Sequence, residues 1–123
     1  MNGNKYLADT NILLYLIAGN SGVIDYLNDQ FYISEITEIE LLGSKGISEL
    51  QYNSRKKIIN SCTIISISEN IKRLTIQLKQ TYTLKIRDAI KATTYIYLNL
   101  PLLTADKDFK KIRVVTLSII KPH

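Results

Sequence analysis

The sequence predicts an α/β fold with a central, mostly parallel sheet of four to five strands and helices on both faces. Short apolar runs typical of buried strands alternate with longer segments whose apolar residues recur at helical spacing. Helical segments separate the strands, and helical crossovers favour parallel pairing with helices on both sides of the sheet. With 123 residues, the chain has the size of one domain, so we expect a single domain over residues 1–123.

The first half of the chain alternates two short strands with four helices. A strand over Tyr6–Ala8 precedes a helix over Asn11–Ala18, whose residues are apolar nearly all round and therefore buried. After a break at residues 19–22, a brief helix over Val23–Leu27 leads to a strand over Phe31–Ile33. Serine, whose hydroxyl can accept a backbone N–H bond, begins each of two further helices: one from Ser34 to Gly43, and one from Ser48 to about Ser61.

The second half predicts three strands and three helical segments. Thr63–Ile67 is rich in β-branched residues, which favours a strand. Ser68 opens the clearest amphipathic helix, with apolar or small residues at i, i+3, i+4 and i+7, namely Ile71, Leu74, Thr75 and Leu78. A helix over Arg87–Asn99 precedes a strand over Leu100–Thr104. The chain then predicts a short helical turn after Asp108 and a fifth strand over Val114–Leu117.

Composition restricts the classes of protein to which this chain can belong. The net charge of +5 and pI near 9.3 favour a polyanionic partner, either nucleic acid or an acidic protein segment. A single cysteine, Cys62, excludes an internal disulfide and fits a reducing cytosol. No apolar stretch approaches the ~20 residues of a membrane span, and the polar N-terminus is not typical of a signal peptide. We therefore expect a cytoplasmic protein without a membrane partner.

Four acidic residues lie at predicted junctions of strands and helices: Asp9, Glu40, Asp88 and Asp106. Ligands of open α/β sheets bind outside the carboxyl ends of the strands, where such residues can converge. Carboxylates at close range repel one another and take up protons unless a cation lies among them. Oxygen ligands favour Mg²⁺ or Mn²⁺ over zinc, and such an ion can activate a water molecule. The only histidine is the last residue, His123, which disfavours a histidine general base or a serine-type triad.

Each acid also has a purely structural explanation, which the residues alone leave open. Asp9 and Asn11 can cap the first long helix, and Asp88 can complement the dipole of a helix N-terminus. Glu40 can lie on a polar helix face, although its apolar neighbours favour a functional carboxylate. Of Asp106 and Asp108, we expect the first to be the ligand and the second a helix cap or supporting residue.

Four motifs in order resemble the PIN-domain family, and within it the VapC-type toxins of bacterial toxin–antitoxin pairs. The motifs are LADTN at 7–11, ISEITEIEL at 33–41, RDAIKAT at 87–93 and LPLLTADKDF at 100–109. The resemblance covers nearly the whole chain and implies a PIN-like fold. It implies a Mg²⁺- or Mn²⁺-dependent endoribonuclease, often acting on structured RNA such as tRNA. It further implies a homodimer and an antitoxin protein whose C-terminal segment blocks the site.

By this resemblance, Asp9, Glu40, Asp88 and Asp106 are the metal-binding and catalytic acids, with Asn11 and Thr104 as polar neighbours. Two positions depart from the family pattern: Arg87, where relatives often carry proline, and Lys91, where the residue is usually small or apolar. Neither removes an acid, and we expect them to affect the helix start and the path of RNA. The basic residues that could hold RNA are Arg55, Lys56, Lys57, Lys85, Arg87, Lys107, Lys110 and Lys111. Arg87 and Lys107 are favoured because they adjoin proposed ligands, and Tyr82 is the tyrosine favoured for stacking on a base.

Three other functions are compatible with parts of the sequence. A phospho-signalling receiver domain fails because no aspartate follows the third predicted strand; none occurs between Asp29 and Asp88. A catalytically silent PIN domain that only binds RNA or a protein remains an alternative, as does a housekeeping nuclease without an antitoxin.

Overall fold

The protein is described by a computed structural model, which covers residues 4–20, 22–23, 29–105 and 117–119. Five strands form one sheet with the order β3-β2-β1-β4-β5, and every neighbouring pair is parallel. The predicted parallel α/β fold is therefore confirmed. The strands are β1 (Lys5–Ala8), β2 (Gln30–Ser34), β3 (Thr63–Ile65), β4 (Leu102–Thr104) and β5 (Leu117–Ile119).

Three helices of the described residues begin at the serines from which they were predicted to start. The side chains of Ser34, Ser48 and Ser68 each accept a backbone N–H bond at a helix N-terminus, and the Ser48 bond is part of a capping box with Gln51. Asn99 ends the last helix in the left-handed conformation, with φ 56°. The helices are α1 (Thr10–Ala18), α2 (Glu35–Leu42), α3 (Glu49–Asn60), α4 (Glu69–Thr81) and α5 (Ile86–Leu98).

Successive residues of the central strands are buried on opposite faces of the sheet. Leu7 of β1 and Leu102 of β4 pack with residues of α4 and α5 into one apolar cluster. Ala8 and Leu103, the next residue on each strand, pack with residues of α1, α2 and α3 into another. Because successive side chains of a strand point to opposite faces, these clusters place helices on both sides of the sheet, as predicted.

The order of the strands fixes where a ligand site can form. β2 pairs with one edge of β1, and β4, which comes later in the chain, pairs with the other edge. The crevice between the carboxyl ends of β1 and β4 is the position at which open parallel sheets bind ligands. Asp9 directly follows β1, and Thr104 is the last residue of β4.

Several predicted boundaries differ from the structure. The strands β3 and β4 are each shorter than predicted, because three residues of each pair with a neighbour. β5 overlaps the predicted Val114–Leu117 at Leu117 alone, and residues 114–116 lie outside the described residues. The brief helix predicted over Val23–Leu27 and the turn after Asp108 also fall outside them, apart from the buried Val23. Among the described helices, none combines the length and apolarity needed to cross a membrane.

Candidate active site

Asp9 lies at the junction of β1 and α1, and its contacts confirm its role as a helix cap. Oδ1 accepts a hydrogen bond from the Thr10 backbone N–H at 2.7 Å, which caps α1. Oδ2 accepts a bond of 2.8 Å from the hydroxyl of Thr104, at the end of the neighbouring strand β4. The residue is only 4% exposed. These bonds fix the orientation of the carboxylate at the carboxyl edge of the sheet.

Glu40 reaches the same place from α2. Its Oε1 accepts a bond of 2.8 Å from the hydroxyl of Thr10, and its Oε2 lies 3.5 Å from Nε of Arg87. Glu40 is thus directed at the site, as its apolar neighbours predicted. Thr10, which the sequence did not single out, holds both acids: its backbone bonds Asp9 and its hydroxyl bonds Glu40.

The most informative residue of the site is one whose position the sequence did not predict. The ammonium of Lys91, from the buried face of α5, lies between Asp9 and Glu40 and is 2.6 Å from Oδ1 of the first and 2.6 Å from Oε1 of the second. It also donates to the hydroxyl of Thr10 at 3.3 Å. Lys91 is only 3% exposed. Lys91 therefore brings a positive charge between two of the predicted metal-binding acids.

Burial and charge act on Lys91 in opposite directions. Burial lowers the pKa of an amine, because it penalises the charged form. The negative charge of Asp9 and the hydrogen bonds to Asp9 and Glu40 together outweigh this effect, so the pKa of Lys91 is raised above its ordinary value. Lys91 therefore carries a positive charge throughout the physiological pH range.

Three of the four predicted acids line one cleft of about 300 Å³. Asp88, 4% exposed, enters it from the first turn of α5. The predicted Asn11 and Arg87 also line the cleft. Thr104 contributes indirectly, because its hydroxyl donates a hydrogen bond to Asp9. Asp106, Lys107 and Asp108 lie outside the described residues. We name this cavity the acid cleft, and its lining residues are Asp9, Thr10, Asn11, Glu40, Arg87, Asp88 and Lys91.

The donor chemistry of the acid cleft fits a hard divalent ion. Its carboxylates and hydroxyls offer the oxygen ligands that Mg²⁺ or Mn²⁺ prefers, whereas Arg87 and Lys91 add two positive charges to the lining. Among residues 4–20, 22–23, 29–105 and 117–119, however, no three acidic, histidine or cysteine side chains lie close enough to hold an ion together. The Lys91 ammonium lies between Asp9 and Glu40, 2.6 Å from an oxygen of each.

Two of the other residues considered as RNA contacts, Arg55 and Tyr82, make structural contacts. The guanidinium of Arg55 donates to the carbonyl of Leu41 and the hydroxyl of Ser44, both at 2.8 Å, and so ties α3 to the end of α2. Tyr82 is half-buried and packs against the apolar cluster of α4 and α5, and its stacking on a base stays a prediction. Lys57 and Lys85 are exposed, whereas Lys110 and Lys111 lie outside the described residues.

The PIN domain family matches residues 6–115 of the chain, which includes every element that lines the acid cleft. The chain belongs to the PIN-domain family. The more specific resemblance to VapC-type toxins is also confirmed, because a chain of a solved toxin–antitoxin complex is 32% identical along almost the whole length; VapBC structures of lower identity share the fold.

Three of these structures show how similar the chain is to known proteins. A toxin–antitoxin complex from Klebsiella pneumoniae has a chain that is 32% identical, with a TM-score of 0.74, and the match covers 93% of this chain and 96% of that one. VapBC2 from Rickettsia felis, bound to a DNA fragment of its promoter, matches at 24% identity and a TM-score of 0.78, over 95% and 99% of the two chains. VapBC-1 from nontypeable Haemophilus influenzae matches at 24% identity and a TM-score of 0.76, over 94% of this chain and 97% of that one. No curated protein sequence matches the chain significantly.

Proposed function

We propose that the protein is a metal-dependent endoribonuclease that acts as the toxin of a type II toxin–antitoxin pair. Membership of the PIN-domain family, whose VapC-type members are nucleases, supports the hydrolase class. The similarity to chains from toxin–antitoxin complexes supports the biological role. The net charge of +5 is consistent with a polyanionic substrate such as RNA, and tRNA is the substrate class that we expect.

One observation carries the proposal: Asp9, Glu40 and Asp88 come from separate segments of the chain and line one cleft at the carboxyl edge of the sheet. Burying carboxylates close together costs free energy unless each has a partner. A fold does not need such a cluster for its stability. The acid cleft is therefore the best-supported place for chemistry in the described part of the chain.

The residues proposed to hold the ion are Asp9, Glu40, Asp88 and, by its motif, Asp106. When bound, a Mg²⁺ or Mn²⁺ ion supplies an activated water molecule and positive charge beside the phosphodiester. Thr10 and Thr104 hold the carboxylates of Glu40 and Asp9 in fixed orientations through bonds of 2.8 Å. This preorganisation keeps the acids from relaxing towards solvent when the substrate enters.

Arg87 is the residue of the described chain that we propose to contact RNA. Its side chain is 50% exposed at the rim of the cleft, and its Nε lies 3.5 Å from Glu40. A guanidinium has five N–H donors, so one contact with a carboxylate leaves others for a phosphate. Lys107 is proposed for the same role from its position beside Asp106 in the sequence.

We further propose that the protein forms a homodimer in the cytoplasm and binds an antitoxin. A surface suited to a protein partner lies between α1 and α3, where two adjoining cavities of about 410 and 230 Å³ share Ile17 and Ser54. We name it the apolar groove, and its apolar lining residues are Leu14, Ile17, Leu50 and Ile58. Leu50 is 78% exposed there. Contiguous exposed apolar surface of this kind is typical of protein contacts.

The test is cleavage of total cellular RNA by purified protein freed of any bound antitoxin, with Mg²⁺, with Mn²⁺ and with EDTA. The expected result is a set of discrete fragments that disappear in EDTA and in Asp88→Asn. Glu49→Gln is the matched control, since it removes an exposed carboxylate of α3 outside the cleft and is expected to cleave normally. Fragments that persist in both EDTA and Asp88→Asn would contradict the proposal.

The second candidate is a catalytically silent PIN domain that binds RNA or a protein. Lys91 is the observation that favours it, because its ammonium balances Asp9 and Glu40 without a metal ion. Absence of cleavage with both metals, together with retained RNA binding, would select this candidate. Fragments dependent on metal and on Asp88 would exclude it.

A further inference from the structure

The ammonium of Lys91 has an acceptor for each of its hydrogen-bond donors. Oxygens of Asp9 and Glu40 lie 2.6 Å from Nζ, and the hydroxyl of Thr10 lies at 3.3 Å. A lysine ammonium has three N–H donors and accepts no bond, so these three oxygens saturate it. The Lys91 side chain is only 4% exposed, and the contacts are thus largely shielded from water.

The two carboxylates beside Lys91 are satisfied within the chain as well. The second oxygen of Asp9 accepts from Thr104, and the second oxygen of Glu40 faces Arg87. Two negative charges, from Asp9 and Glu40, are thus met by two positive charges, from Lys91 and Arg87. The repulsion that would force such acids to take up protons is removed before any metal ion binds.

A divalent ion placed between Asp9 and Glu40 would need the oxygens that Lys91 now contacts. It would also lie against a positive charge in a site where little water screens the repulsion. Lysine has a flexible four-carbon stem, and the cleft of about 300 Å³ gives this stem room to turn. Exchange of the ammonium for the ion therefore requires a change of side-chain conformation, without a change of fold.

We propose that Lys91 is an intramolecular counterion that competes with the divalent ion for Asp9 and Glu40, so that the ion binds there only when the ammonium leaves. This inference rests on the proposed function, since it concerns the ion of the same cleft. It assigns two states to the site: a metal-free state closed by Lys91, and a metal-bound state from which Lys91 has been displaced. Lys91 thereby sets the metal concentration at which the cleft is loaded.

The test measures Mn²⁺ binding to metal-free protein by the decrease in the electron paramagnetic resonance signal of aqueous Mn²⁺. Lys91→Met removes the charge and keeps an unbranched, helix-favouring side chain, whereas Lys91→Arg keeps the charge. Lys72→Met is the matched control, because it also removes one lysine charge but from the exposed surface of α4. Thermal unfolding in EDTA and in Mn²⁺ is measured on the same four proteins.

Lys91→Met is expected to bind Mn²⁺ roughly tenfold or more tightly than the wild type, within the usual range of coupling between two sites. Lys91→Arg and Lys72→Met are expected to bind as the wild type does. In EDTA, Lys91→Met should unfold at a lower temperature than the wild type, and Mn²⁺ should raise its unfolding temperature more. Equal or weaker Mn²⁺ binding by Lys91→Met would overturn the inference while leaving the metal-dependent function intact.

The wild-type protein gives a test that needs no stable variant. The Lys91 side-chain CεH₂ signal, assigned by its absence from Lys91→Arg, is expected to move during a Mg²⁺ titration as the ammonium leaves the carboxylates. If the cleft fills with Mg²⁺ and this signal does not move, the competition is refuted. If neither the wild type nor Lys91→Met binds a divalent ion in the cleft, the inference and the metal-dependent function both fail.

Discussion

The acid cleft and the apolar groove place side chains in opposite ways. In the cleft, charged groups are buried: Asp9, Asp88 and Lys91 are each under 5% exposed. In the groove, apolar side chains are exposed, with Leu50 at 78% and Ile17 at 39%. Burying charged groups costs free energy. Leaving apolar side chains in water forgoes the stabilisation that their burial would give. Neither is explained by the stability of the isolated chain, but the reasons differ.

The two regions differ in where the partners of their side chains come from. The groove exposes surface that another molecule can cover, so the partner is supplied from outside. The described acids Asp9 and Glu40, in contrast, already have partners within the chain, because Lys91, Thr10, Thr104 and Arg87 contact all four of their oxygens. A ligand that takes the oxygens bonded by Lys91 must therefore displace a contact, whereas a ligand of the groove only adds one.

The largest expected effect comes from Asp9→Ala, which removes the shared partner of Lys91 and Thr104. Cleavage of RNA should fall roughly a thousandfold, because metal-dependent transition-state stabilisation is worth several kcal/mol at ~1.4 kcal/mol per tenfold. The free energy of unfolding should also fall by about 3 kcal/mol, since Lys91 loses one of its two carboxylates and α1 loses its cap. Single-turnover cleavage and urea unfolding measure the two effects.

A stability equal to that of the wild type would show that the contacts of Asp9 with Lys91 and Thr104 contribute little.

Thr104→Val should have the next largest effect, because it removes the hydroxyl that orients Asp9 and keeps the shape of the side chain. Loss of the 2.8 Å bond should lower stability by about 1 kcal/mol. Supporting hydrogen bonds around a metal site typically change activity or metal affinity roughly 10–100-fold.

Thr75→Val is its control. The hydroxyl of Thr75 also donates a buried bond, to the carbonyl of Ile71 at 2.7 Å, but on α4 and outside the acid cleft. It should cost similar stability and leave the cleavage rate unchanged. Equal loss of cleavage in both variants would show that the effect is one of stability alone.

Leu50→Asp tests whether the apolar groove contributes to the stability of the isolated chain. Its side chain is already largely in water, so the free energy of unfolding should change by less than about 0.5 kcal/mol, and RNA cleavage should be unchanged. Urea unfolding and the cleavage assay test this directly. A stability loss as large as that of Asp9→Ala would mean that the groove belongs to the core.

The smallest expected effect concerns Cys62, which packs at the base of α3 and whose thiol lies 3.3 Å from the carbonyl of Ile58. Burial raises the pKa of this thiol, and a hydrogen bond from Ser61 lowers it less. The reactive thiolate is therefore scarcer at pH 8 than in the unfolded chain, and iodoacetamide should react more slowly with native protein than in urea. Equal rates would show that the region opens freely.

The fold was largely predictable from the sequence, because its signals are local. Serines placed before apolar periodic segments fixed the starts of α2, α3 and α4, and apolar runs marked the strands. The lengths of β3 and β4 were not predictable, since a strand ends where its neighbour stops pairing. That depends on residues far away in the sequence.

The candidate site was predictable in part for the same reason. Asp9, Glu40 and Asp88 could be placed at one edge of the sheet from their positions at the ends of elements. The contact between Lys91 and Asp9 joins residues 82 positions apart and depends on how α5 packs. One signal existed, however: Lys91 stands between the apolar Ile90 and Ala92 on a helix that buries most of its surface. A lysine at such a position needs a buried acid.

The most direct test of the central claim is anomalous diffraction from crystals grown with Mn²⁺. The expected result is a manganese peak in the acid cleft, in contact with the carboxylates of Asp9, Glu40 or Asp88, with the Lys91 ammonium moved away from Asp9 and Glu40. A cleft without manganese at millimolar Mn²⁺, with Lys91 still between the two acids, would contradict the assignment of this cleft as the metal centre.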